Sequence, residues 1–168
     1  MKITEALSIY AAVLSTIVFV WNMRKAIPIY KVEIVFGTDK VDDEYVNGAY
    51  ISVKNPSTHT VHLSNISILY PFGDRGLIKK LKHIFKYRRL PFTVGWCSSS
   101  LSNYEIDDKC PIALEPGKSI GILVPESVID GIFAKCEERV IKASVQDELW
   151  RNKYSNTFEY PKVSDESK

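Results

Sequence analysis

Ala49–Lys54 (AYISVK), Asn55–Thr60 (NPSTHT) and Val61–Tyr70 (VHLSNISILY) together decide the fold of this chain. The outer segments are rich in β-branched and aromatic residues, which suit a pleated, half-buried surface. Pro56 and its polar neighbours mark a turn between them. In the second strand, alternation runs Val61, Leu63 and resumes out of phase at Ile66, Ile68, Tyr70. One extra residue near Ser64-Asn65, a β-bulge, would return every apolar side chain to one face. His59 and His62 flank the turn with no partner at metal-ligand spacing and read as surface residues. Asn65-Ile66-Ser67 matches the glycosylation sequon but lies within a strand.

Downstream, the punctuation stays that of short strands. Residues 92–110 read as an irregular strand and loop, with Trp96 packing inward beside Cys97 and Ser98-Ser99-Ser100 in loop. Ile112–Leu114 and Ser119–Val124 flank Glu115-Pro116-Gly117-Lys118, a β-turn. The letters Gly117-Lys118-Ser119 suggest a phosphate loop, but the glycine it needs five residues earlier is Ile112. Pro125–Lys135 reads as a short helix, with Ser127 and Asp130 at capping-box spacing. Arg139–Asp147 and Lys153–Tyr160 read as the last strands, joined near Trp150, with Glu148 and Arg151 exposed. Upstream, Ile29–Phe36 is a strand ended by Gly37-Thr38-Asp39, and Val41–Gly48 is an acidic, turn-rich loop. Its carboxylates Asp42, Asp43 and Glu44 have nothing nearby to complete a metal or acid–base site. The expected core is Val32, Ile34, Ile51, Val53, Ile66, Ile68, Trp96, Leu123, Ile141, Val145 and Phe158.

Ahead of all this stands Ala6–Met23 (ALSIYAAVLSTIVFVWNM), 18 residues without a charge, closed by Arg24 and Lys25. As a helix this run is about 27 Å long, close to a bilayer's hydrocarbon thickness. A cleaved signal peptide would want a basic start, a shorter apolar run and small residues before the cut. Here the run ends Val20-Trp21-Asn22-Met23-Arg24. Ser8, Ser15, Thr16 and Asn22 dilute it as they would a core helix, yet a helix apolar on all sides at the N-terminus favours a membrane span. Arg24, Lys25 and Lys31 outweigh Lys2 and Glu5, so the positive-inside rule places the N-terminus outside and residues 24–168 in the cytoplasm of a single-pass inner-membrane protein. Ser8, Ala12 and Thr16 form a small-residue stripe suited to homo-oligomer contact.

Arg75–Arg89 (RGLIKKLKHIFKYRR) is the unusual segment. Seven of its fifteen residues are Lys or Arg and none is acidic. Leu77, Ile78, Leu81, Ile84 and Phe85 share one helical face, and Lys79, Lys80, Lys82 and Lys86 fall largely away from it. Lys79, Lys80, Lys82, Lys86, Arg88 and Arg89 are the candidate contacts for a membrane surface or another anion. A helix that caps the domain would use the same apolar face.

The organisation expected is a flank at 1–5, a span at 6–23, a juxtamembrane linker at 24–28, a domain at 29–162 carrying the basic insertion 75–89, and a polar tail at 163–168. Composition is ordinary, 45% hydrophobic and 25% charged, and the net charge of +2 makes no global case for nucleic acid. Cys97, Cys110 and Cys136 are an odd number at no metal spacing. Were the orientation reversed, Cys97–Cys110 is the pair expected to oxidise. No cofactor is implied.

Seven or so short strands with minor helices argue an all-β, immunoglobulin-like antiparallel sandwich. The order Ile51–Ile68, then Leu90-Pro91-Phe92, Ile112–Ile120, a small helix and Arg139–Asn156 (RVIKASVQDELWRNKYSN) resembles uncharacterised, membrane-tethered bacterial β-sandwich proteins. The likeness covers about residues 45–160, leaves out the basic segment, and implies no activity. The expected role is a non-enzymatic interaction module that binds a protein partner at the membrane. The alternatives are an anionic polymer such as nucleic acid on segment 75–89, or an enzyme whose site no motif reveals.

Overall fold

A computed structural model describes residues 3–41, 43–73, 76–88, 93–134, 136 and 138–161. Helix α1 (Ile3–Ala26) is longer than the charge-free run, because Glu5 fits its first turn and Arg24 and Lys25 its last, each complementing the helix dipole. It is long and apolar enough to cross a membrane, and none of it is buried against the rest of the chain.

Two antiparallel sheets follow. The first has the order β1-β2-β6, from β1 (Lys31–Val41), β2 (Glu44–Lys54) and β6 (Ser119–Pro125). The second has the order β4-β3-β7-β8, from β3 (Val61–Pro71), β4 (Trp96–Ser100), β7 (Val140–Asp147) and β8 (Asn152–Tyr154). Short β5 (Ile112–Leu114) also pairs with β3, and β9 (Phe158–Glu159) with β7. Both sheets contribute to one apolar core, in which Ile51, Val53, Leu63, Ile66, Ile68, Ile141 and Val145 are fully buried. Antiparallel sheets with one solvated face alternate in this way.

Strands β2 and β3 lie in different sheets, so the polar turn between them carries the chain from one sheet to the other. Asn55 holds that corner and is completely buried. Its Nδ2 donates to the carbonyls of Leu114 (2.7 Å) and His59 (2.8 Å), and its Oδ1 accepts from the Ser57 amide (3.0 Å) and hydroxyl (2.6 Å). Its backbone amide donates to the Lys118 carbonyl (3.0 Å), and its carbonyl accepts from Gly117 N–H (2.8 Å). The bulge expected near Ser64-Asn65 is present, as the β3–β7 register shifts between Leu63 and Asn65.

The first sheet departs from expectation. Strand β1 runs on through Gly37-Thr38-Asp39, and β2 begins at Glu44 inside the segment read as an acidic loop. Gly37 faces Gly48, and a Cβ on Gly37 would sit 3.1 Å from the Cβ of Tyr50, so this glycine makes room for a side chain instead of a turn. The reversal comes later, at Asp43, whose φ of 69° is left-handed. Asp42 lies outside the described residues.

Other corrections follow from register. Strand β4 includes Ser98-Ser99-Ser100, and Trp96 opposes Pro71 on β3. Its ring is half-exposed with the Lys142 ammonium 4.4 Å from its centroid, outside the core. Leu123 faces outward because Ile122 and Val124 point in. Helix α3 (Glu126–Phe133) starts at Glu126, so Ser127 is already helical and makes no cap. Asp130 instead accepts from Arg139 Nη2 at 2.8 Å. The last predicted strand divides into β8 and β9 around buried Ser155, whose Oγ accepts from Ala143 N–H at 2.9 Å. Val163–Lys168 lie outside the described residues.

Candidate interaction surface

Helix α2 (Leu77–Tyr87) occupies the basic segment. It has no side-chain cap at Gly76 and no acid in its first turn. It ends where Arg88 turns left-handed (φ 51°) and donates its N–H to the Ile84 carbonyl at 2.8 Å. Periodicity alone therefore carries this helix, and its apolar face decides what it is for.

Among its described residues, most of that face is not packed on the domain. Ile78 and Phe85 are 83% and 84% exposed, and Leu81 is also open to solvent. Fully burying an Ile, Leu or Phe side chain is worth about 1.5–3 kcal/mol, so three such residues in water leave several kcal/mol unclaimed. On the polar side, Lys82, Lys86 and Arg88 are exposed and Lys80 is half-buried. The Lys86 ammonium lies 5.1 Å from the Tyr87 ring centroid, and the His83 and Tyr87 rings are 4.8 Å apart. The structure thus brings Lys80, Lys82, Lys86 and Arg88 onto one short element. The Lys79 side chain, Arg75 and Arg89 lie outside the described residues, as does Pro91.

The position of α2 in the domain matters as much as its surface. Pro71 ends β3, and the Phe72 and Gly73 amides reach the Gly95 carbonyl, so α2 leaves from the Pro71–Trp96 end of the second sheet. Tyr30, which follows α1, is buried at the opposite end, where its hydroxyl donates to the carbonyls of Val145 and Arg151 at 3.1 Å. Asp147, beside Arg151, lies opposite Leu63 on β3, so the eight steps from Leu63 to Pro71 put about 26 Å between these ends.

Other chemistry is sparse. Burial raises the Cys110 thiol to about 12, assisted by the negative charges of Asp108 and then Asp107, so this sulfur stays protonated and inert. Cys136 is also pushed up by burial, then by Cys97, and its Sγ–H donates to the Pro71 carbonyl at 3.3 Å. Cys97 therefore has Cys136 as its neighbour, whereas Cys110 sits among Asp107 and Asp108; the Cys97–Cys110 pairing does not match this arrangement. All three are free thiols. A cleft of about 230 Å³ on the outer face of the second sheet is lined by uncharged residues, including Ser67, Leu69, Ser144, Gln146 and Asn152. Among the described residues, no three His, Cys, Asp or Glu side chains are placed to share a metal ion.

Sequence reasoning found α2 through its 3.6-residue period, but the vacancy of its apolar face has no sequence signal. Comparison with family models, curated proteins and solved structures gives no match.

Proposed function

We propose that this chain is a non-enzymatic, membrane-tethered interaction module, with α1 as a retained single-pass anchor and an immunoglobulin-like sandwich held at the cytoplasmic leaflet. The uncovered apolar face of α2, beside Lys80, Lys82, Lys86 and Arg88, is the observation that carries this reading. A helix of this kind lies in the interfacial plane, with apolar residues at the acyl boundary and cations among anionic headgroups. The chain's own anchor keeps that surface within reach, so weak contacts are enough to orient the domain.

Geometry adds a constraint. Since α1 and α2 leave opposite ends of the domain, α2 reaches its own leaflet when the long axis of the sandwich lies along the bilayer. This posture leaves loops and the edge strand β1 to meet a protein partner by strand addition. Nucleic acid is the weaker occupant of α2, because an uncovered apolar face adds nothing to phosphate binding.

Backbone hydrogen–deuterium exchange of the full chain in nanodiscs tests the assignment. Residues 77–87 should be more protected in phosphatidylglycerol than in phosphatidylcholine, and the difference should vanish in Lys80/Lys82/Lys86→Gln. Equal exchange in both lipids would reject α2 as the leaflet contact.

A further inference from the structure

The turn between β7 and β8 is a second place where an apolar surface stands open, at the end where α1 joins the domain. Leu149 is 69% exposed and Trp150 82%. Trp150 has φ 61°, the left-handed region that an aromatic L-residue seldom adopts. The conformation is imposed by Asp147, itself almost wholly buried. Its Oδ1 accepts from Arg151 N–H at 2.9 Å and its Oδ2 from Arg151 Nε at 2.7 Å. The Asp147 amide donates to the Arg151 carbonyl and the Trp150 amide to the Asp147 carbonyl, each at 3.0 Å. A buried carboxylate thus holds a tight turn that points two large apolar side chains away from the core.

The same Arg151 carbonyl accepts from Tyr30 Oη at 3.1 Å. Only Ile27–Tyr30 separate α1 from β1, at most about 14 Å of extended chain. Ile27 and Ile29 in this link are exposed as well. Leu149 and Trp150 are therefore pinned, through Tyr30, beside the point where α1 emerges. Trp21 stands near the end of α1 with the Lys25 ammonium 5.3 Å from its ring centroid, an arrangement suited to the headgroup level.

We infer that the Leu149–Trp150 turn inserts into the bilayer interface as a second anchor, its occupant being the lipid around the emerging α1. Indole favours this depth because its ring is apolar and its N–H can reach headgroup or water. The turn and α2 sit at opposite ends of the sandwich, so two contacts with the leaflet fix the lying posture that one alone would leave free to rotate.

The inference rests on α1 being a span but is independent of α2, and the test separates them. The full chain with Trp21→Phe and Trp96→Phe, which leaves Trp150 as its one tryptophan, is reconstituted in phosphatidylcholine nanodiscs, where α2 has no anionic partner. Trp150 emission should shift to shorter wavelength and lose intensity when the acyl chains are brominated near the headgroup. Should Trp96→Phe disturb the fold, the difference between the native chain and Trp150→Phe reads the same quantity. Long-wavelength emission that brominated lipid leaves unquenched would overturn the anchor, whereas a chain that fails to enter nanodiscs overturns the span itself.

Discussion

Replacing Asn55 with Ala should be among the most damaging single changes that leave the apolar core intact. The side chain makes four hydrogen bonds, two donated from Nδ2 and two accepted at Oδ1. They are not equal. His59 and Ser57 are at least partly exposed and can turn to water, so each of those three bonds is worth about 0.5–1 kcal/mol. The bond to the Leu114 carbonyl is buried, and losing it costs about 1–3 kcal/mol. The sum is about 2.5–6 kcal/mol, less any relaxation of the turn. For a domain of this size, each kcal/mol moves Tm by about 3–4 °C, so about 3 kcal/mol corresponds to about 10 °C. Near-ultraviolet circular dichroism of the full chain in detergent follows the two-sheet domain without the melting of α1. A Tm within about 2 °C of the native chain would show that the β2–β3 corner is held by its backbone bonds alone, contrary to this reasoning.

Tyr160 predicts the opposite sign. It is 1% exposed, and its hydroxyl has no hydrogen-bond partner among the described residues, so Tyr160→Phe should be neutral or raise stability by about 1 kcal/mol; a loss larger than that in the same melt would reveal a partner for the hydroxyl. Cys110 gives a pH dependence. Its thiol is raised from an ordinary 9.0 to about 12, so the stability it contributes is complete below pH 9 and declines as pH rises toward 12. The alkaline decline should be shallower in Cys110→Ala, as read by melts at stepped pH, and an unchanged slope would refute the burial assigned to this sulfur. Topology is checked with one reporter cysteine in residues 163–168 after Cys97, Cys110 and Cys136 are changed to Ser. Impermeant maleimide should leave it unlabelled in intact cells, and labelling there would reverse the orientation.

What the sequence made legible was local. The bulge at Leu63/Asn65 shows as a break in a two-residue period, the amphipathic α2 as a 3.6-residue period, and α1 as an uncharged run. What it concealed depends on distant partners. Gly37 reads as a strand end until Tyr50 is seen to lie against it across the sheet. Trp96 reads as core until its pairing with Pro71 fixes its half-exposed position. Asn55 looks like an ordinary turn residue, because its partner Leu114 is 59 positions away. The placement of the Leu149–Trp150 turn beside the end of α1 was invisible for the same reason, since Tyr30 and Arg151 are 121 positions apart. The candidate surface lies between these cases. Its residues follow from the pattern, but an apolar helical face fits a core and a bilayer equally well, and only the exposure of Ile78 and Phe85 sets aside packing on the domain.

The central claim, that α2 rests in the anionic leaflet, is tested most directly by the depth of its two faces. Spin labels at Leu81→Cys and Lys86→Cys, on opposite sides of α2 in a full chain whose native cysteines are Ser, report collision with oxygen and with a water-soluble nickel chelate. In phosphatidylglycerol vesicles at low salt, position 81 should favour oxygen and position 86 nickel, with the contrast lost in phosphatidylcholine. Equal, water-like accessibility at both positions in the anionic vesicles would contradict the account.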